Sequence, residues 1–269
     1  MNEKISVIMS VYNCEKTIDK AIKSILDQTY TNWVMIICDD GSTDRTYEII
    51  NEYKDNYPDK FIIAKNETNM RLPYSLNRCL ELVETDIVAR MDGDDWSHPE
   101  RFEKQLGFLK KHPEIDLVGT GVTVSDGEKK IGSIIKIPQP TKQTMTHQNA
   151  FSHATIMTYK KIYDALGGYS LDRSVHRVED VDLWCRFLSE GYKGYNLQEE
   201  LYCILEDRNA VKRRTLSARI NEAKTKSNGF KKMGFSGFVC IKPYFGILKA
   251  FIPFPIYKAI HRFNLNRNK

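Results

Sequence analysis

Along the first 120 positions the apolar residues keep changing their period. Short β-rich runs at 5–11, 34–38, 61–64, 86–91 and 115–122 read as strands. Between them the spacing turns helical. Ile18, Ala21, Ile22, Ile25 and Leu26 lead up to Gln28, and Tyr47, Ile50 and Tyr53 share one face of a helix reaching about Tyr57. Leu76, Cys79, Leu80 and Val83 mark a third helix, and Phe102, Leu106 and Leu109 a fourth that begins at Pro99. Strands alternating with amphipathic helices define an α/β protein whose mostly parallel sheet is covered by helices.

From about Thr123 the alternation fails. A turn at Asp126-Gly127 and the prolines at 138 and 140 break an apolar run, so mixed short strands and loops are expected as far as Met157. A short helix should end before Gly167-Gly168, and another should span 179–189 with Gly191 as its cap. The expected division is one domain over 1–206, with a regularly alternating half (1–122) and an irregular half (123–206), followed by a basic amphipathic helical region over 207–269.

Charge reinforces that last boundary. The chain of 269 residues carries a formal +5, but its last 63 residues hold fifteen Lys/Arg against Asp207 and Glu222, or +13, leaving −8 on residues 1–206. An acidic body joined to a basic tail suggests two tasks. In the tail Arg213-Arg214 opens a helical stretch with Leu216, Ile220 and Ala223, and an aromatic run from Gly234 to Tyr257 follows. Lys242 and Lys249 interrupt every apolar stretch, so none reaches the roughly 20 residues of a spanning helix. Lysines flanking Phe, Ile, Leu and Tyr suit a segment lying on an anionic membrane surface. The competing reading packs those aromatics on the catalytic domain or on a second subunit, as a homodimer. Nucleic acid is not expected as a partner, because no binding motif accompanies the charge.

Composition narrows the class further. With 41% hydrophobic residues, 28% charged residues and a mean hydropathy of −0.46, the chain can bury a core and is not an integral membrane protein. The six cysteines contain no C-x-x-C pair, which argues against a zinc site or a disulfide scaffold. Met-Asn-Glu-Lys runs straight into Ile5 without a secretory signal, so a reducing, cytoplasmic compartment is expected.

The chemistry gathers at strand ends. The first, second and fourth strands end in Val11-Tyr-Asn13, Asp39-Asp40 and Asp92-Gly-Asp-Asp95, which a parallel sheet brings to one edge. Open α/β sheets bind ligands in the crevice outside those carboxyl ends. Apposed carboxylates repel unless a cation or a donor-rich ligand neutralises them, and hard oxygen ligands select magnesium or manganese shared with substrate phosphates. A solvated turn with a helix cap is the plainer account of each acidic run. Their occurrence after separate strands favours the site.

Four segments, Ser6-Val-Ile-Met-Ser-Val-Tyr-Asn13, Cys38-Asp-Asp-Gly-Ser-Thr-Asp44, Arg90-Met-Asp-Gly-Asp-Asp95 and Glu179-Asp-Val-Asp-Leu-Trp184, together resemble in order and spacing the motifs of family 2 of the inverting glycosyltransferases, bacterial surface-polysaccharide type. The resemblance spans residues 4–206. It implies the A-type glycosyltransferase fold, with 1–206 as the catalytic domain made of a nucleotide-binding half (1–122) and an acceptor half (123–206), a nucleotide-sugar donor, and Mn2+ or Mg2+ bridging the diphosphate. By motif it places Ser10, Tyr12 and Asp40 around the nucleotide base, with Asp40 accepting from a uracil imide. It puts Asp92 near the ribose or donor sugar, and Asp94 and Asp95 on the metal. It makes Asp180 of the Glu179-Asp180 pair the general base that deprotonates the acceptor hydroxyl; without the other motifs, the two acids read as dipole-stabilising residues of a helix start. Val181, Trp184 and Leu188 are expected on the buried face of that helix, and Asp182 with Arg186 as an ion pair.

Two departures stand out. Asn69-Met-Arg-Leu-Pro-Tyr-Ser-Leu-Asn77 resembles a family segment with glycine where Arg71 stands, so the loop geometry is open and Arg71 is a candidate for a phosphate or for surface packing. His153-Ala-Thr155 has Ala154 in place of a proline, and His153 reads as a structural hydrogen-bonding histidine. The expected function is transfer of a hexose from a UDP-sugar to a hydroxyl of a lipid-linked glycan, at the inner face of the cell membrane. Two rivals are a sugar-phosphate nucleotidyltransferase, disfavoured because no Gly-rich phosphate loop follows the first strand, and a catalytically silent membrane-associated interaction protein.

Overall fold

The computed structural model of the chain describes residues 3–206 and 215–251. Arg213-Arg214 and the end of the aromatic run lie outside the described residues. The predicted strands are present as β1 (Ile5–Val11), β2 (Trp33–Asp39), β3 (Phe61–Lys65), β4 (Ile87–Asp92) and β6 (Leu117–Ser125). The helices between them are α1 (Ile18–Leu26), α2 (Thr46–Asn56), α3 (Leu72–Glu81) and α4 (Arg101–Lys111). α1 turns Ile18, Ala21, Ile22 and Ile25 inward, and β1 and β2 are buried along nearly their whole length because helices cover both faces.

β3, β2, β1 and β4 lie side by side in that order, all parallel. Beyond β4 the sheet is mixed, and two strands the periodicity does not reveal complete it. β8 (Met157–Tyr159) inserts antiparallel between β4 and β6, so β6 does not adjoin the parallel half. A strand of three residues shows no period to read. β9 (Gly194–Leu205) runs parallel to β6, with register shifts at Thr120/Gly121 and Gly121/Val122, and its polar Gln198-Glu199-Glu200 interrupts what would be a strand pattern. β5 (Trp96–Ser97) pairs antiparallel with β9, and β7 (Lys130–Ile134) with β6. The short α5 (Lys142–Met145) follows.

α6 (Lys160–Leu166) stops at Gly167, and α7 (Glu179–Ser189) matches its predicted span, with Gly191 two residues beyond at φ +84°. Val181, Trp184 and Leu188 are buried as expected. The tail begins as α8 (Leu216–Lys232), which packs on α7 so closely that a Cβ on Gly229 would lie 2.3 Å from Cys185 Sγ. Phe230, Met233 and Cys240 of this region join the core cluster around Trp184. α9 (Phe238–Ile241) and a run of 3-10 turns (Lys242–Phe251) follow, with Phe238, Ile241, Phe245 and Leu248 exposed. Among the described residues no helix is long and apolar enough to cross a membrane.

Candidate active site

The parallel register sets the first part of the site. Ser10 lies opposite Cys38 on one side and Asp92 on the other, so the chain leaves β1, β2 and β4 at one level. The loops after β1 and β2 are laced together. Asn13 N–H donates to Ser42 Oγ at 3.0 Å and Thr43 N–H to Asn13 Oδ1 at 2.9 Å. Cys14 N–H donates to Thr46 Oγ1 at 2.7 Å, and Asp44 accepts from Glu15 N–H at 3.1 Å. Tyr12 follows β1 on this ledge with 45% of its surface exposed, leaving its ring open to stacking.

Asp40 is buried and organises the loop before α3. Its Oδ1 accepts from Asn66 Nδ2 (2.7 Å), Met70 N–H (2.8 Å) and Ser75 Oγ (2.9 Å), and its Oδ2 from Arg71 N–H (2.8 Å). Oδ1 thus carries three donors and Oδ2 one, which makes Oδ2 the less occupied of the two oxygens. The same contacts explain Arg71. Its backbone sits at φ +76°, ψ 161°, a region that glycine enters without strain and other residues enter at a cost of about 1–3 kcal/mol. The Asp40 carboxylate, clamping two successive N–H groups, holds it there, and the side chain is left exposed.

At the end of β4 the acidic loop is packed tightly. Gly93 is required there, since a Cβ would lie 2.7 Å from Val11 Cγ1. Asp92, Asp94 and Asp95 each offer a carboxylate oxygen within 4.8 Å of the others. Arg90 forks onto Asp92 with contacts of 2.5 and 3.0 Å. β9 closes the far side: Leu205 N–H donates to Asp95 Oδ1 at 3.1 Å, and the Tyr202 hydroxyl accepts the Asp92 N–H and hydrogen-bonds the Asp95 carboxylate. Burial, then repulsion from Asp92 and Asp94, pushes the Asp95 carboxyl up to about 8. Three hard oxygen donors brought this close together, one of them buried, fit a divalent cation of the magnesium or manganese kind.

The α7 end carries Glu179 and Asp180. Arg177 turns through φ +66° just before the helix, placing both acids in its first turn, where the dipole favours them. Burial nevertheless raises both carboxyls, while Arg90 opposes the rise in each. Asp180 lines a cleft of about 340 Å³ between α7 and α8, with Asn149, Arg177, Arg219 and Glu222 among its walls. Asp182 and Arg186 form the expected ion pair at 2.8 Å, and Arg186 also donates to the carbonyls of Leu166 and Gly168. His153 is half-buried, with Nε2 2.8 Å from Tyr169 Oη and its ring edge-on to Trp184; desolvation and then Arg90 push it well below the usual histidine range.

Ser10, Asp92, Asp94 and Asp95 thus sit at the carboxyl edge of the parallel strands, with Tyr12, Asp40 and Arg71 on the loops that leave it. Glu179 and Asp180 stand apart from that edge, on the first turn of α7. Arg90 and Tyr202 are the polar residues the sequence reading assigns no role. Arg90 stands inside a quoted motif and immediately before the acidic loop, which is the signal that could have found it; Tyr202 offers none, because β9 itself is not legible.

A sheet of this order with an acidic loop after its fourth strand is the arrangement expected of a glycosyltransferase. The family model for glycosyl transferase family 2 matches residues 6–176, and the chain belongs to that family. EpsE of Bacillus subtilis (strain 168), itself named as a glycosyltransferase, is 43% identical over 262 residues, covering 96% of this chain and 93% of that protein. WfaP of Escherichia coli, a UDP-Glc:alpha-D-GlcNAc-diphosphoundecaprenol beta-1,3-glucosyltransferase, is 30% identical over 204 residues, covering 72% of this chain and 74% of WfaP. The crystal structure of S. aureus TarS 1-349 in complex with UDP-GlcNAc superposes with a TM-score of 0.71 at 16% identity, covering 92% of this chain and 71% of that one. The fold is therefore the A-type glycosyltransferase fold expected from the motifs.

Proposed function

We propose that the chain is a metal-dependent inverting transferase that moves a hexose from a UDP-sugar to a hydroxyl of a lipid-linked glycan in surface-polysaccharide synthesis. The observation that carries this reading is the acidic trio at the end of β4, where burial and then repulsion from Asp92 and Asp94 raise Asp95 to about 8, with the exposed Tyr12 just past the end of the adjacent β1. Tyr12 stacks on the base, Ser10 lies beneath it, and Asp40 Oδ2 takes the imide N–H. Asp92 meets the ribose or donor sugar, and Arg71 reaches a phosphate. The Arg90 fork already offsets one of the three charges, so the cation is held by Asp94 and Asp95; when bound it stabilises the departing diphosphate as a Lewis acid. Asp180 takes the proton of the acceptor hydroxyl as that oxygen bonds to the anomeric carbon, with Glu179 in support. The names of the relatives favour a UDP-sugar and a diphospholipid acceptor. A panel of nucleotide sugars scored for manganese-dependent nucleotide release tests the reading; no release from any member would overturn it.

The tail divides in this scheme. α8 forms a wall of the Asp180 cleft, and the segment beyond Gly234 rests on the inner face of the cell membrane. Exposed Phe238, Ile241, Phe245 and Leu248 around Lys242 support that placement. Apolar insertion adds to salt-sensitive attraction, so sedimentation with vesicles should rise with anionic lipid and fall only in part at high salt. Full-length protein that ignores anionic vesicles would favour packing against a second subunit.

A further inference from the structure

Arg101 opens α4 as a cation sealed inside the protein. It is 0% exposed, and burial draws its guanidinium down only to about 10, so it stays charged at neutral pH. Its polar partners are an amide, a thioether and a carbonyl: Nε donates to Gln105 Oε1 at 3.0 Å, Nη1 lies 3.8 Å from Met91 Sδ, and Nη2 donates to the Arg90 carbonyl at 2.7 Å. None of these is a carboxylate. A buried cation whose bonded partners are all neutral is costly, and a leucine or methionine would fill the core face of α4 without that cost. The bonds from α4 to the carbonyls of Val118 and Thr155 come from Gln105 and do not explain the arginine.

What distinguishes the position is the set of groups it touches. The guanidinium carbon stands 5.1 Å from the centre of the Tyr202 ring, the separation of a cation resting on an aromatic face. The hydroxyl of that ring accepts the Asp92 N–H at 3.1 Å. The Asp92 carboxylate is gripped by the Arg90 side chain at 2.5 and 3.0 Å, and Arg101 ties down the Arg90 carbonyl. Arg101 thus contacts both residues that hold Asp92, and Met91 between Arg90 and Asp92 as well. Its own N–H returns to the His98 carbonyl at 3.1 Å, so the chain leaving the acidic loop folds back against the loop's base.

We infer that Arg101 is a positioning residue for the acidic loop: stacked on Tyr202 and bonded to the end of β4, it fixes the Asp92 backbone and with it the direction in which the carboxylates of Asp92, Asp94 and Asp95 face a cation. Lysine would keep the charge but not the planar group that stacks on a ring while donating from its edges. The consequence for ligand binding rests on the proposed reading of that loop as the site of the cation and of UDP.

Hydrogen exchange at the Asp92 amide, in the metal-free full-length protein, is the first test. R101M should speed exchange there about tenfold, as should Y202F, while the Arg90 amide, bonded to the Ile156 carbonyl at 2.9 Å, keeps its protection. A general loss of packing would speed both amides together. Calorimetry of UDP with manganese follows. R101M should weaken binding about tenfold, and adding it to Y202F should weaken binding by no more than about twofold further, because two residues acting through one hydroxyl are not additive. R101K, lacking the planar fork, should change both measurements in the same direction. A folded R101M with native exchange at Asp92, with native UDP affinity, or with losses that simply add to those of Y202F overturns the inference. If R101M does not fold, R101K is judged by the same three results. A native protein whose UDP affinity is indifferent to a chelator overturns the cation reading instead, and exchange at Asp92 still decides whether Arg101 holds the loop.

Discussion

The hydroxyl of Tyr202 accepts the Asp92 amide hydrogen at 3.1 Å, joining the end of β4 to a strand 110 residues later. The same hydroxyl steadies Asp95. Removing it in Y202F leaves a buried N–H without an acceptor, at about 1–3 kcal/mol, and withdraws a donor that favours the Asp95 carboxylate. A lower melting temperature and roughly tenfold weaker UDP binding with manganese are expected, measured by thermal melts and calorimetry.

Asp95 also sets a pH dependence. Its folded-state carboxyl stands near 8 against an ordinary aspartate value of 3.8, so between those limits the folded chain holds a proton that the unfolded chain does not. The contribution to stability is complete below about pH 4 and is lost as pH rises through 8. Metal binding must release that proton. Manganese should therefore raise the melting temperature more at pH 8.5 than at pH 6.5, and D95N should abolish the difference.

For Asp180, D180N should retain UDP-sugar binding while transfer falls by about 10²- to 10⁴-fold, with E179Q milder. Because burial raises the Asp180 carboxyl, turnover in the native enzyme should fall on the acid side at a higher pH than an ordinary aspartate would give. A pH–rate profile with a UDP-sugar identified in the release panel measures both effects.

R71G separates strain from function. Glycine relieves the φ +76° conformation, and the gain of about 1–3 kcal/mol outweighs the roughly 0.5–1 kcal/mol flexibility cost of glycine, so the melting temperature should rise. UDP affinity should fall several-fold with the loss of the guanidinium. A stabilised variant with native affinity would assign Arg71 to the surface.

G229V drives a side chain into Cys185, where overpacking costs typically 1–3 kcal/mol. Since α8 walls the Asp180 cleft, transfer should suffer more than UDP binding. Kinetics beside calorimetry distinguish the two, and C185A should restore part of the lost stability by shortening the opposing side chain.

The parallel half of the sheet was readable because β1, β2, β3 and β4 are short continuous runs separated by clear helical periods. The acidic loop was readable because it follows such a run. β8 was not, since three residues carry no period, and β9 was not, since a register shift sets polar residues in mid-strand. Buried Arg101 and Gln105 were likewise hidden: they lie on the core face of α4, paired with each other at 3.0 Å and with backbone carbonyls of β4 and β6, where a hydrophobic pattern predicts apolar residues. Asp40 shows a third limit, for its role in shaping the Arg71 loop depends on contacts 26 to 35 residues away.

The late strands have a consequence for how the chain matures on the ribosome. β8 must slip between β4 and β6, and the acidic loop gains its last two clamps only when Tyr202 and Leu205 arrive. A nascent chain that has emerged only through β6 can pair its four parallel strands but cannot finish the acidic loop, because loop closure over such separations waits on residues not yet made. That loop reaches its final geometry only when nearly all of the first 206 residues are in place.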